Sequence, residues 1–480
     1  MPPNNQSQTR RETLKVLGAL GTTAALGSFA KAESDSPFVH APSPGGFRDE
    51  LRCLVDQTPI VDTHEHLPDE IDTLGNGRKP CNDWSILLSH YLNSDLISAG
   101  MSGADVNRLT SPGLDPLGKW RLLAPYWPAV KCTGYGLAVR ASIRELYGIE
   151  DLNKENIPRL QDEYDKLHKK GYYKKILVEK ANIESCQVNY PGNEPFHCSR
   201  QPTLLMQDIS IVGMHMSPNS QSLSRPAKQA VNDLADWHKV IRWWFEKFGR
   251  YAVAVKSQAA YSRGLDYEKV PPEKAEGVFQ KIVQKDPVSS SERKLLQDHL
   301  FWFAVEEANK YDLPVKLHLG YYAGQNRMPL ERVAENPAQA TALCRKSPQT
   351  QWVFMHIAYP YWQDLVAVAK HYTNAHIDMC WSWIIDPAAS LQFLKSYLVT
   401  APANKIFTFG GDYRPVECVL GHSRIARQGI TLALSELVDQ GWLGRDDAFG
   451  LVEPIMRGNA RRVFKLAEKS RQLQKAPWKT

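Results

Sequence analysis

Pro59-Ile60-Val61-Asp62-Thr63-His64-Glu65-His66 is a short apolar run that ends in two histidines and is followed at once by Leu67-Pro68. Proline has no amide hydrogen for a ladder, so the extended segment must stop there. Along a strand alternate side chains share a face, which puts His64 and His66 on one side and Glu65 on the other. Two neutral imidazoles at a strand's mouth are half of a site for zinc or a similar ion, and a catalytic ion needs at least a third protein ligand.

Three more runs end in the same way. Leu313-Pro314-Val315-Lys316-Leu317-His318 and Gln351-Trp352-Val353-Phe354-Met355-His356 end in histidine, and Lys405-Ile406-Phe407-Thr408-Phe409-Gly410-Gly411-Asp412 ends in a carboxylate. Singly each is a weak signal; the shared position is the stronger one. His318 and His356 stand 38 positions apart, room for one helix and one strand, and His356 and Asp412 stand 56 apart, room for two such units. That is the rhythm of an α/β (β/α)8 TIM barrel, whose functional groups project from the C-terminal ends of different strands.

The whole chain can be read in that rhythm. Strands are expected at 58–64, 174–183, 203–213, 251–257, 313–319, 351–356, 375–380 and 405–410, the number that closes a barrel. Helices are expected over 231–248, 291–311, 360–372 and 390–399, their tryptophans serving packing. An insertion at about 68–170, rich in helix-like segments, is expected to form a cap over the barrel mouth, and 184–228 reads as a loop-rich excursion.

His64-x-His66, His318, His356 and Asp412 together resemble the metal-binding pattern of the amidohydrolase superfamily, specifically its amidohydrolase-related branch. The stretch from Val255 through Lys256, Tyr261 and Arg263 to Leu265, and Met355-His356-Ile357-Ala358-Tyr359-Pro360, are similar to the amidohydrolase-like half of FluG-type proteins. The likeness covers roughly residues 55–467, and Asn459 to Phe464 resembles the terminal helix of such barrels. The arginine after Tyr261 stands one place later than in that family.

A metal held by His64, His66 and a third ligand would acidify a bound water and polarise a carbonyl, with Asp412 orienting the water and accepting its proton. The resemblance implies that His318 completes a one-metal site with Asp412, while His356 stabilises the oxyanion or acts as acid. In the superfamily's two-metal form a carbamylated lysine bridges the ions, and Lys256 and His356 would serve there together with His318. The favoured reading of Lys256 is instead a structural or substrate-binding ammonium. Candidate substrate-binding residues are Lys256, Tyr261, Arg263, Trp381, Tyr413 and Arg414, the arginines being suited to a carboxylate. The expected cofactor is a divalent metal, Zn2+ first, one or two ions.

At 480 residues, 43% hydrophobic and 23% charged, the chain can bury one large core. Thr9-Arg10-Arg11-Glu12-Thr13-Leu14-Lys15, the small-residue apolar run Val16 to Phe29 and Ala30-Lys31-Ala32 resemble a bacterial twin-arginine signal with its cleavage site. The expected organisation is therefore signal 1–32, an N-terminal segment 33–54, the barrel 55–467 and a tail 468–480. The twin-arginine translocation machinery becomes a partner and the location periplasmic or otherwise exported. The apolar run is too short for a stable membrane span.

Removing 1–32 takes away Arg10, Arg11, Lys15, Lys31 and Glu12 and lowers the formal charge from +6 to +3. Dispersed among acids, the remaining basic residues indicate no nucleic-acid partner. None of the eight cysteines forms a C-x-x-C pair, which argues against a zinc ribbon or redox motif; Cys186 and Cys198, flanking one loop, are the first pair to test for a disulfide. The leading expectation is an exported metal-dependent hydrolase acting on a C–N or C–O bond of a small polar substrate, of the amide, cyclic amide or lactone type. The alternative is a lyase (decarboxylase) or uronate-isomerase-like enzyme on the same scaffold. A non-catalytic binding protein is a third class, opposed by retention of the full His/Asp set.

Overall fold

The computed structural model describes residues 46–74, 80–324 and 328–479. The twin-arginine segment lies outside the described residues, as do 33–45. The fold is α/β. Its strands are β1 (Ile60–Glu65), β2 (Ile183–Val188), β3 (Leu205–Gln207), β4 (Ile209–Ser210), β5 (Val255–Ser257), β6 (Val315–Leu317), β7 (Trp352–Met355), β8 (Ala375–Asp378) and β9 (Ile406–Phe407). Every pairing is parallel, in a three-stranded sheet β1-β2-β3 and a six-stranded sheet β4 to β9, each strand beside its successor. β3 and β4 are one run of chain interrupted at Asp208, which makes eight staves. The far edges meet: Thr63 N–H donates to Phe409 O at 3.1 Å, Asp412 N–H to His64 O at 2.8 Å and His66 N–H to Tyr413 O at 3.0 Å. The last stave is thereby bonded to the first, the arrangement of TIM barrels.

Helices pack around this core for reasons visible locally. Helix α1 (Leu234–Phe248) starts where the Asp233 side chain accepts the amide of Asp236, and it buries Leu234, Trp237, Val240, Ile241, Trp244 and Phe248 at helical spacing. Helix α2 (Ser290–Lys310) opens on a capping box between Ser289 and Glu292. Helix α3 (Val416–Asp439) lies so close to the insertion that a Cβ on Gly421 would come within 2.0 Å of Ala138 O, so only glycine permits that packing.

Two strand expectations need correction. Residues 174–180 are π-helical, and the strand begins only at Ile183. Tyr172 with Ile176 and Tyr173 with Leu177 are buried at a spacing of four, so this short apolar run obeys the helical period. The expected strand 203–213 ends at Ser210, and its last residues enter a short helix, Val212–Met216.

The insertion is helical as expected, from Glu70–Leu74 to Ile157–Leu167. It reaches the mouth of the barrel: the Tyr91 hydroxyl donates to Asp412 O at 2.6 Å, and the Tyr91 ring stacks against both Tyr135 and Trp381, which also stack on each other. All eight cysteines are free; Cys186 is buried in β2 and Cys198 is exposed, so that pair forms no disulfide. No helix among the described residues is long and apolar enough to cross a membrane.

Candidate active site

The barrel's C-terminal rim is where the backbone departs from ordinary conformations. His356, Ile357, Ala358, Trp381 and Asp412 all have positive φ, between 49° and 65°. Non-glycine residues enter that region at a cost of about 1–3 kcal/mol each, and strain of this kind gathers at functional sites. Here it turns His356 and Asp412 inward at the ends of their staves.

Asp412 Oδ1 lies 3.3 Å from His64 Nε2 and 3.2 Å from His66 Nε2. Two ligands of one tetrahedral ion with ~2 Å bonds stand about 3.3 Å apart, so the three atoms have the spacing of a shared coordination sphere. His66 Nδ1 lies 2.8 Å from Asn189 O; if it carries the proton it fixes the tautomer and leaves Nε2 as a lone pair toward Asp412. Burial pushes the Asp412 carboxyl upward, but in the ion-free site, where His64 and His66 would instead donate from Nε2, hydrogen bonding from the two rings outweighs it and holds the group well below the usual carboxylate range. A permanent anion between two imidazoles fits a divalent cation.

The loop around Asp412 is clamped from β1. Asp62 Oδ1 accepts the amides of His64 (3.1 Å) and Gly411 (3.2 Å), and Glu65 Oε2 accepts that of Tyr413 (2.7 Å). Glu65, facing away from the two histidines as the strand alternation requires, is thus a support for the carboxylate across the site.

On the other side of Asp412, His356 Nε2 is 4.0 Å from Oδ2. Its Nδ1 lies 2.9 Å from Cys380 O, while Nε2 is buried and has no hydrogen-bond partner. Burial brings its pKa down to about 4, so the ring is neutral and offers Nε2 as a lone pair. That geometry presents Nε2 to the site as an acceptor atom.

His318 is placed differently from the expectation that it completes a one-metal site. Its ring centroid is 4.3 Å from that of His356, but its Nε2 pairs with Tyr321 O at 2.9 Å and is absent from the atoms gathered around Asp412. Lys256 is buried, with Nζ 3.5 Å from His64 Nε2 and 2.7 Å from Met355 Sδ; burial lowers its pKa.

Of the other expected residues, Tyr261, Trp381 and Tyr413 surround the site. The Tyr261 ring is 4.6 Å from His318, Trp381 meets His356 edge to face at 5.3 Å, and Tyr413 packs on Tyr91. Arg263 does not join them. It pairs with Asp298 at 2.5 Å, stacks on Tyr267 and lines a separate cavity. Arg414 is exposed and, among the described residues, has no carboxylate partner. It lines, together with His66, two adjoining cavities of about 680 and 380 Å3.

Several groups at the site carried no sequence signal strong enough to find them. His90, 6.4 Å ring to ring from His66, comes from the insertion, where no strand rhythm points to it. Cys380 lies with His356 and Asp412, yet a cysteine outside any C-x-x-C pair gave no hint of that. Glu417, by contrast, stands just after Asp412 and so is expected near the barrel mouth; hydrogen-bonded to His168 Nε2 at 2.5 Å, it forms part of the larger cavity's wall.

A parallel barrel with His64, His66 and Asp412 converging at its rim is similar in fold to TIM-barrel proteins of the amidohydrolase superfamily. Residues 287–466, which carry His318, His356 and Asp412, match the family model Amidohydro_2, described as "Amidohydrolase". The chain is 29% identical over 151 residues to a uronate isomerase of Corynebacterium efficiens, covering 30% of this chain, and 23% identical over 334 residues to protein fluG of Emericella nidulans, covering 67%. It spans about a third of the length of these curated relatives, 32% and 35%. Among solved structures it is similar to glucuronate isomerase from Caulobacter crescentus (TM-score 0.73, 16% identity, 92% of this chain and 97% of that one). The uronate isomerase of Thermotoga maritima follows (TM-score 0.70, 15% identity, 87% and 97%). A putative metal-dependent hydrolase from Lactobacillus casei shares the fold at TM-score 0.61 and 15% identity, over 87% and 98%.

Proposed function

We propose that this chain is a divalent-metal enzyme that interconverts the aldose and ketose forms of a small carboxylated sugar. The observation that carries the reading is Arg414, two positions beyond Asp412, presented without an anionic partner among the described residues to the cavities that His66 also lines. A guanidinium there suits a carboxylate at one end of a substrate whose carbonyl lies at the metal end. The names of the relatives, a uronate isomerase in sequence and two isomerases of uronates in fold, favour the same substrate class. The hydrolase expectation accordingly gives way to what was its alternative.

His64, His66 and Asp412 would hold the ion, zinc being the first choice for an N2O donor set. Bound there, a divalent ion supplies Lewis acidity to a carbonyl and the adjacent hydroxyl. The chain's own groups do the rest. Asp412 stays ionised and accepts a proton at its carboxylate. Arg414 anchors the acid end. Tyr91, Tyr135 and Trp381, stacked over the rim, exclude water from an enediol-like intermediate that would otherwise be lost. The twin-arginine-like segment supports export to a periplasm, so the mature chain would meet its substrate outside the cytoplasm.

The test uses the full mature chain reconstituted with Zn2+, Mn2+ or Co2+ and a panel of hexuronates, lactones, N-acyl amides and aromatic acids. Aldose–ketose exchange, with solvent deuterium entering the carbon beside the carbonyl, is the expected result. Turnover of only amides or lactones would restore the hydrolase reading, and release of CO2 would assign a decarboxylase.

A further inference from the structure

We propose that the site holds a second, thiolate-ligated divalent cation, bound by His356, Cys380 and the outer oxygen of Asp412. The proposal goes beyond, and rests on, a first ion at His64, His66 and Asp412 Oδ1. His356, Cys380 and Asp412 are all buried, each offers a ligand atom within 4.8 Å of the others, and His356 Nε2 lies 4.0 Å from Asp412 Oδ2. Two facts point to a ligand. His356 Nε2 is fully buried and unpartnered, and the ring is held in place by its Nδ1 contact with Cys380 O, the bond that orients metal-binding histidines. The positive φ of His356 and Trp381 brings both donors' staves to the same point.

Asp412 would then be a ligand shared by both sites. A His/Cys/Asp set selects a borderline-soft ion of the zinc class over magnesium or calcium. On binding, the Cys380 S–H bond is exchanged for an S–metal bond and one proton leaves to solvent. Lys256 is the opposing charge, and it is buried beside His64.

The experiment is an anaerobic Co2+ titration of the metal-free full chain, read by bound metal per chain and by the near-ultraviolet thiolate-to-cobalt charge-transfer band. Wild type is expected to take up about two ions, the second bringing the band. Cys380→Ser should keep the first ion and lose both the second ion and the band; His356→Gln, should the serine variant not fold, should do the same. Lys256→Met should tighten the second ion and leave the first in place. Uptake of about one ion without the band overturns the second site and spares the first, whereas no uptake sinks both. A Cys380→Ser protein with unchanged stoichiometry and spectrum also overturns the proposal.

Discussion

Glu65 accepts the backbone N–H of Tyr413 at 2.7 Å, so a β1 residue that points away from the two histidines holds the segment carrying their carboxylate partner. Asp62 holds the same loop from the other side, through Gly411 N–H. A Cβ on Gly411 would lie 1.8 Å from Glu65 Oε1, so glycine is required for this approach.

Loss of the clamp should loosen the metal. Glu65→Ala and Gly411→Ala are expected to weaken divalent-ion binding about 10- to 100-fold, measured by competition with a chelator. Glu65→Gln retains an acceptor oxygen for Tyr413 and should recover most of the affinity. Equal affinities in all three variants would show that the loop holds itself.

Asp412→Asn keeps the shape but removes the proton-accepting carboxylate. Its kcat should fall about 10²-fold or more, with a smaller change in substrate binding. Near-normal kcat with metal still bound would remove Asp412 from proton transfer.

Arg414 should act on the acid end of the substrate alone. Arg414→Met is expected to raise KM for a carboxylated substrate roughly 10- to 100-fold, the scale of a lost charge-assisted hydrogen bond, and to leave KM for the corresponding uncharged sugar unchanged. Arg263→Met, by contrast, should leave KM unchanged and lower stability, since it strips Asp298 of a buried partner.

Stability of the metal-free protein should fall as pH drops from about 6.5 toward 4. Burial holds His90, His215, His376 and His422 at about 3 and His356 at about 4. In the unfolded chain these groups take up protons near 6.5, so the unfolded state binds more protons throughout that window. Each costs about 1.4 kcal/mol per pH unit while it does so. Asp62, raised by burial to about 6, and Asp378, raised by burial to about 7, act in the opposite sense, as do Glu65, Asp95 and Asp208, but these five acids stand against eight histidines once His64, His238 and His318, also lowered by burial, are included. Urea unfolding at pH 7, 6 and 5 checks the sign; a flat or rising trend toward acid would contradict it.

Export is tested independently of the site. Replacing Arg10 and Arg11 together by lysine should leave uncut precursor in the cytoplasm. Unchanged processing and periplasmic yield would count against a twin-arginine signal.

The staves that carry the site were legible because their information is local. β1, β6 and β7 are short apolar runs closed by a histidine or a proline, and alternation along β1 already separates Glu65 from His64 and His66. Where the period was ambiguous, at 174–180, the chain chose a helix, because neighbours four apart could bury together. The spacing between strand ends was enough to imply the barrel rhythm and to nominate His64, His66, His356 and Asp412.

What the sequence by itself determined is therefore the element order and the residues that stand at the rim. Only the tertiary structure decided which atoms meet there. It turned His318 Nε2 to Tyr321, set Cys380 beside His356, committed Arg263 to Asp298 while leaving Arg414 facing the cavity, and brought Tyr91 onto Asp412 across 321 positions. The reason is physical: a strand's face is set by its own alternation. The direction of a ring nitrogen or a guanidinium depends on which hydrogen-bonding partner arrives from elsewhere in the chain, and no local period encodes that.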